Sequence, residues 1–236
     1  MTEKTSLALP YKVLPGETID LTVKMISPKS AGEYTGRWML RTDEGLLFGV
    51  GKDAEAALTV KVQVLNLDPA AEYDLLLDMC QATWWNGNME GLRCPSPLSS
   101  TRGFVTMLPS PRLENGANDR PVLWVRPNGK VQGFVAGKYP PYLVQDGDHF
   151  RTQIGCLANS AGCKLTFKFQ YQVGSGEKVT LAEWNQAADG KITKVDLDLS
   201  SLAGQQVQFI LRVFGENKQF ESHNGFWLIP RIVNVK

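Results

Sequence analysis

The feature that most constrains this chain is an alternation of period two. Short runs of alternating apolar and polar residues recur along most of its length, bounded by Gly, Pro, Asn or Asp, and helical periodicity is almost absent. In residues 18–26 (TIDLTVKMI), Ile19, Leu21, Val23 and Met25 alternate with Asp20, Thr22 and Lys24. Residues 36–41, 58–64, 73–78, 131–136, 164–172, 194–199, 206–214 and 226–235 are further runs. Successive side chains of a strand point to opposite faces, so each run offers one face to a core and one to water. Many short runs separated by turn residues predict an all-β sandwich with helix limited to short turns. Val195, Leu197 and Leu199 give one inward face and Phe167, Phe169 and Tyr171 another, so these two runs are expected to face each other across the sandwich.

A chain of 236 residues fits one large domain or two small ones. The expected boundary is the polar, proline-containing stretch 66–72 (NLDPAAE), which gives a segment 1–68 and a module 69–236. The first segment is too short to bury a good sandwich core alone. It therefore packs on the second or is the remainder of a larger domain. Lys and Arg total 25 against 24 Asp and Glu, a net charge of +1. That balance argues against a nucleic-acid partner, which needs a basic surplus, and against a polybasic membrane-surface protein. No run approaches the roughly 20 apolar residues of a membrane helix, so no membrane insertion is expected. The first ten residues (MTEKTSLALP) lack the charged and apolar regions of a signal peptide.

Four cysteines fall as two local pairs, Cys80 with Cys94 and Cys156 with Cys163, without zinc-ligand spacing. They read as two short-loop disulfides of an oxidising compartment or as four buried thiols, and three pairings are formally open. In the disulfide reading, Cys156–Cys163 closes residues 157–162 and pins a hairpin.

Residues 14–51 contain a PGE turn at Pro15–Glu17, the alternating strand, PKSAGEYTGRW at 28–38 and a closing GLLFG at 45–49. This pattern resembles the C-terminal half of the FW domain, the four-tryptophan immunoglobulin-like module of autophagy cargo receptors and bacterial surface proteins. The resemblance implies an immunoglobulin-like segment with Trp38 as a buried plug. The family's N-terminal half has no counterpart here, which implies that Met1 begins a fragment or a shortened relative whose leader lies outside the chain. From Tyr139 onward, YPPYLVQDGDHFRTQIGC, KLTFKFQYQVGSG, KITKVDLDLSSLAGQQVQFILRVFG and HNGFWLIPRIV follow one another. Their order is similar to that of NPCBM-like and other galactose-binding-like jelly rolls, carried by Phe150, Gly155, Phe167, Phe169, Phe209, Trp227 and Pro230. That likeness implies a carbohydrate-binding jelly roll, at times with a structural calcium, in which the loop before the last strand, His223 and Asn224, approaches the ligand.

No set of residues suited to catalysis emerges. The two histidines lie apart, and no GxSxG, no HExxH and no glycine-rich helix start occurs. Asp146 and Asp148 in QDGDH read as a turn or as calcium ligands rather than a glycosidase pair. Binding has better candidates. Sugars present flat apolar faces and hydroxyls, so aromatic rings beside polar groups suit them. Trp84 and Trp85 in ATWWNGN point to opposite faces if extended, leaving one for the core and one for a platform. Tyr139 and Tyr142 in KYPPYL flank prolines that place them on an irregular edge or loop. Trp124 and Trp184 read as packing residues. The expectation is a non-enzymatic, extracellular or cell-surface β-sandwich protein that binds glycan through Trp84, Trp85, Tyr139, Tyr142, His223 and Asn224, with no cofactor beyond a structural calcium at Asp146 and Asp148. The alternative is a structural or protein-interaction module that docks another surface protein.

Overall fold

The computed structural model describes residues 6–23, 25–26, 28, 32–65, 70–87, 89–117, 120–129, 133–216 and 220–236. Lys24, residues 29–31, the first half of the expected boundary at 66–69, and Val131 lie outside the described residues. Two compact units divide the chain, residues 1–66 and 67–236.

In the first unit, β1 (Gly32–Trp38), β2 (Leu40–Arg41), β3 (Leu47–Phe48) and β4 (Leu58–Val64) make two antiparallel pairs. β1 runs against β4 from Gly32–Val64 to Trp38–Leu58, and β2 pairs with β3. The alternating run at 18–26 is expected to be a strand, but its described residues join no ladder, and Leu21, Val23, Met25 and Ile26 are exposed. Alternation supplies an amphipathic ribbon, whereas a strand also needs a neighbour for its N–H and C=O groups. Trp38 is half-buried rather than a plug, and none of the unit's described residues is fully buried. Two-stranded sheets enclose little by themselves.

The second unit holds β5 (Ala71–Asp74), β6 (Thr83–Asn86), β7 (Met89–Leu92), β8 (Phe104–Leu108), β9 (Arg112–Leu113), β10 (Gly116–Ala117) and β11 (Val122–Arg126). β12 (Phe134–Leu143), β13 (Asp148–Cys156), β14 (Lys164–Gln172), β15 (Lys178–Ala187), β16 (Thr193–Asp198), β17 (Gln206–Gly215) and β18 (Gly225–Asn234) follow. Among the described residues, helix is limited to 3₁₀ turns at Leu77–Cys80, Ser200–Leu202 and Phe220–Ser222. One sheet has the order β16-β13-β18-β11-β8, and β5 pairs with β18 beyond the end of β11. The other has the order β15-β14-β17-β12-β6-β7. From β11 to β18 every connection crosses between the sheets except the β14–β15 hairpin, which is the winding of a jelly roll.

The core lies between the two sheets. Phe150 of β13 stacks on Phe169 of β14 at 3.8 Å, Phe169 on Phe209 at 5.1 Å, and Phe167 meets Trp227 edge-on at 5.0 Å. Offset and edge-on aromatic pairs of this kind add to the stabilisation from burial alone. Gly137 lets β12 lie flat on the Trp84 indole, since a Cβ there would fall 2.6 Å from three ring carbons.

Both disulfides are formed, Cys80–Cys94 and Cys156–Cys163. The second ties no hairpin, because β13 and β14 belong to different sheets; it staples a crossover. The KYPPYL segment is likewise no loop. It completes β12, which lies between β17 and β6. Proline is tolerated there because the register shifts between Lys138 and Pro141 and the pairing with β6 ends at Lys138.

Candidate functional site

The registers of the β15-β14-β17-β12-β6-β7 sheet decide which side chains share its outer face. Paired residues point to the same side. Trp85, Ala136, Arg212, Lys168 and Glu183 therefore form one row across five strands. Thr83, Lys138, Ile210, Gln170 and Thr180 form the next, and Gln208, Gln172 and Lys178 a third. On the other flank stand Phe134, Phe214, Thr166 and Asn185.

This face is a cleft rather than a plane. Trp85 on β6 and Lys178 on β15 are separated by three intervening strands, about 19 Å in a flat sheet. The Lys178 ammonium nonetheless lies 4.7 Å from the Trp85 ring centroid. The two ends of the sheet, with the β14–β15 hairpin, thus curl toward each other. Ile210 and Gln170 point away from the sandwich core yet are 0% and 7% exposed.

The floor combines ring faces with polar groups that lack partners. The Arg212 guanidinium carbon sits 3.8 Å from the Phe134 centroid and 4.3 Å from that of Phe214, a cation over aromatic faces. Burial holds its pKa below the usual arginine range, and its Nε has no hydrogen-bond partner among the described residues. Gln170 Nε2 donates to Thr180 Oγ1 at 2.8 Å and Gln172 Nε2 to the Gly176 carbonyl at 2.6 Å. The Oε1 atoms of both are buried without a donor among the described residues. Lys168 pairs with Glu183 at 2.6 Å. Buried polar atoms are normally satisfied, and here three orphans, one in each of three successive rows, lie near aromatic rings.

Of the residues singled out in the sequence, Trp85 alone lies on this cleft. Trp84 is 2% exposed and donates from Nε1 to the Met79 carbonyl at 2.6 Å. Tyr139 is 0% exposed and donates to the Leu75 carbonyl at 2.8 Å. Both are core residues, not platforms, because they face the opposite sheet. Tyr142 is half-buried, stacked on Tyr73 at 5.2 Å, and donates to Asp148 Oδ2 at 2.9 Å. Burial pushes the Tyr73 hydroxyl up to about 12, and that of Tyr142 is raised by burial and by its bond to Asp148.

His223 and Asn224 precede β18, in the other sheet, and the fold does not bring them to Trp85. The His223 ring is buried beside Gly215, where a Cβ would lie 2.6 Å from Nδ1. Asn224 Oδ1 accepts from Trp124 Nε1 and from Arg126 Nε and Nη2, while its Nδ2 donates to Ser160 Oγ and the Glu221 carbonyl. It is an organiser of packing whose hydrogen-bonding capacity is already used, not an open ligand contact. Asp148 is buried and accepts from Tyr142, the Gln145 N–H and Asn234 Nδ2, which ties down the turn before β13. Asp146 pairs with Lys236. These two aspartates serve the turn, and no group of three or more His, Cys, Asp or Glu suited to a metal occurs among the described residues.

The outer face of the other sheet carries a cavity of about 190 Å³ lined by Arg120, Arg151, Lys194, Asp196 and Arg231, among others. Its guanidiniums are engaged: Arg151 Nε bonds Asp196 Oδ2 at 2.9 Å, and Arg231 Nη1 donates to the Ile229 carbonyl at 3.0 Å. The cleft residues Arg212, Gln170, Gln172 and Lys178 were not singled out by sequence reasoning. Alternation marks them as the wet side of their strands, and only the lateral order of strands makes them neighbours.

Residues 2–64 match the family model described as the Ig-like domain from next to BRCA1 gene. Over those residues the first unit is similar to an Ig-like domain. No curated protein matches the chain. Among solved structures, one from a study of carbohydrate-binding modules of the β-sandwich superfamily is similar at 9% identity and a TM-score of 0.46, over 87% of this chain and 76% of that one. A family 61 carbohydrate-binding module in complex with β-1,4-galactotriose aligns at 7% identity and a TM-score of 0.41, covering 73% and 99%. The C-terminal family 22 carbohydrate-binding module of a Clostridium thermocellum protein aligns at 12% and 0.42, covering 71% and 96%.

Proposed function

We propose that this chain is a non-catalytic, extracellular or cell-surface carbohydrate-binding protein whose ligand lies in the cleft of the β15-β14-β17-β12-β6-β7 sheet. The observation that carries this reading is the set of orphaned polar atoms on Arg212, Gln170 and Gln172 among the ring faces of Trp85, Phe134 and Phe214. A sugar ring brings hydroxyls to the first set and C–H faces to the second. The second unit acts as a galactose-binding-like module and the first as an FW-like immunoglobulin segment. Two disulfides suit an oxidising compartment.

A glycan array followed by affinity electrophoresis tests the site. Hits are expected to weaken about tenfold or more in Trp85→Ala and Gln172→Ala, the loss of one hydrogen bond or ring contact being worth roughly 1–2 kcal/mol. Circular dichroism should show both variants folded. An array without hits, or hits that neither variant weakens, overturns the reading.

A further inference from the structure

We propose that the ligand of this cleft is an acidic glycan, whose carboxylate or sulfate group sits on the Arg212 guanidinium. The inference rests on the carbohydrate reading above and adds the charge of the sugar to it.

The argument is a local charge imbalance in a balanced chain. Over the whole sequence, acidic and basic residues nearly cancel. The rows of the cleft hold Lys138, Lys168, Lys178 and Arg212 against two acids, Glu183 on β15 and Glu90, which stands opposite Trp85 in the β6–β7 register. Glu183 is used by Lys168 at 2.6 Å. Glu216, at the mouth just past the end of β17, accepts from Thr166 Oγ1 at 3.2 Å. Arg212 has no acidic partner among the described residues, and Lys178 rests on the Trp85 ring instead of on a carboxylate.

A half-buried guanidinium without a counter-charge is costly, and a neutral hydroxyl can satisfy its N–H groups but not its charge. With its central carbon close to two phenyl rings whose planes are 48° apart, the guanidinium has no carboxylate partner among the described residues. That is the planar fork that takes a carboxylate or sulfate with two parallel hydrogen bonds. Gln170 and Gln172, whose buried Oε1 atoms lack a donor among the described residues, stand in the adjoining rows and suit the hydroxyls of the same sugar.

The full chain is assayed by affinity electrophoresis and calorimetry against polygalacturonate, a sulfated galactan, a neutral galactan and a neutral xylan. The expected result is binding to one or both acidic polymers about tenfold or more tighter than to the neutral ones, weakening as salt is raised. Whichever acidic polymer binds identifies carboxylate or sulfate as the anchor. Arg212→Met keeps a long apolar stem on the phenyl rings and is expected to lose about tenfold or more on the acidic polymer while its melting temperature stays close to that of the parent. Arg212→Lys keeps the charge without the fork and is expected to lie between the two. Neutral polymers bound as tightly, with Arg212→Met unaffected, overturn the acidic ligand and leave the carbohydrate reading standing. Acidic polymers bound equally by parent and Arg212→Met also overturn it. Binding to no polymer overturns both.

Discussion

His223 shows what a buried polar side chain demands of its surroundings. Its ring is enclosed beside Gly215, both ring nitrogens lack a partner among the described residues, and burial pushes its pKa below the ordinary 6.5, opposed by Glu216. The unfolded chain takes up a proton below that pH while the folded chain does not. The contribution is therefore intact above about pH 6.5 and is lost as pH falls from there toward the folded value. Denaturant midpoints measured between about pH 7.5 and pH 5 should fall with acidification, and His223→Leu should flatten that slope; equal slopes would refute the assignment. At this scale the sequence was only partly readable. Adjacent tryptophans had to face opposite ways, and they do, but nothing in ATWWNGN tells which of Trp84 and Trp85 meets the core. Tyr139 has a polar tip and proline neighbours, both surface signals, yet its hydroxyl finds the Leu75 carbonyl inside.

Strands and staples add a second kind of constraint. Cys80–Cys94 and Cys156–Cys163 close loops of 14 and 7 residues in sequence separation. Loop-closure entropy makes the first worth about 3 kcal/mol and the second about 2.5 kcal/mol. Paired Cys→Ser variants should lose roughly those amounts in denaturant unfolding, and thiol titration of the denatured parent should find no free cysteine. Element existence was legible wherever alternation met a partner, as in β14, β16, β17 and β18. The run at 18–26 carries as clear an alternation as any of these and forms no strand in its described residues, because pairing depends on a neighbour that a local pattern does not encode. The prolines of β12 misled for the converse reason: edge-like chemistry sits at the one stretch of that strand where β6 has already ended.

Across the whole molecule, every buried core residue among the described ones lies between Leu75 and Val233. A chain beginning at Ala70 should therefore fold with the melting temperature of the parent's second unit, measured by calorimetry; a molten product would show that the first unit contributes to that core. The fold class was legible because period two is stated many times over. The cleft was not, since Arg212 and Lys178 lie 127 and 93 residues from Trp85 in sequence and become its neighbours only through strand order. That order has a consequence for biogenesis. β18 is the last strand of the sandwich to be made, yet it sits inside its sheet, with β13 on one edge and β11 and β5 on the other. Until its ten residues have left the ribosome, two halves of that sheet have no common neighbour. The sandwich therefore cannot close until β18 has emerged, and until then the exposed flanks of β13 and β11 depend on a chaperone or on speed.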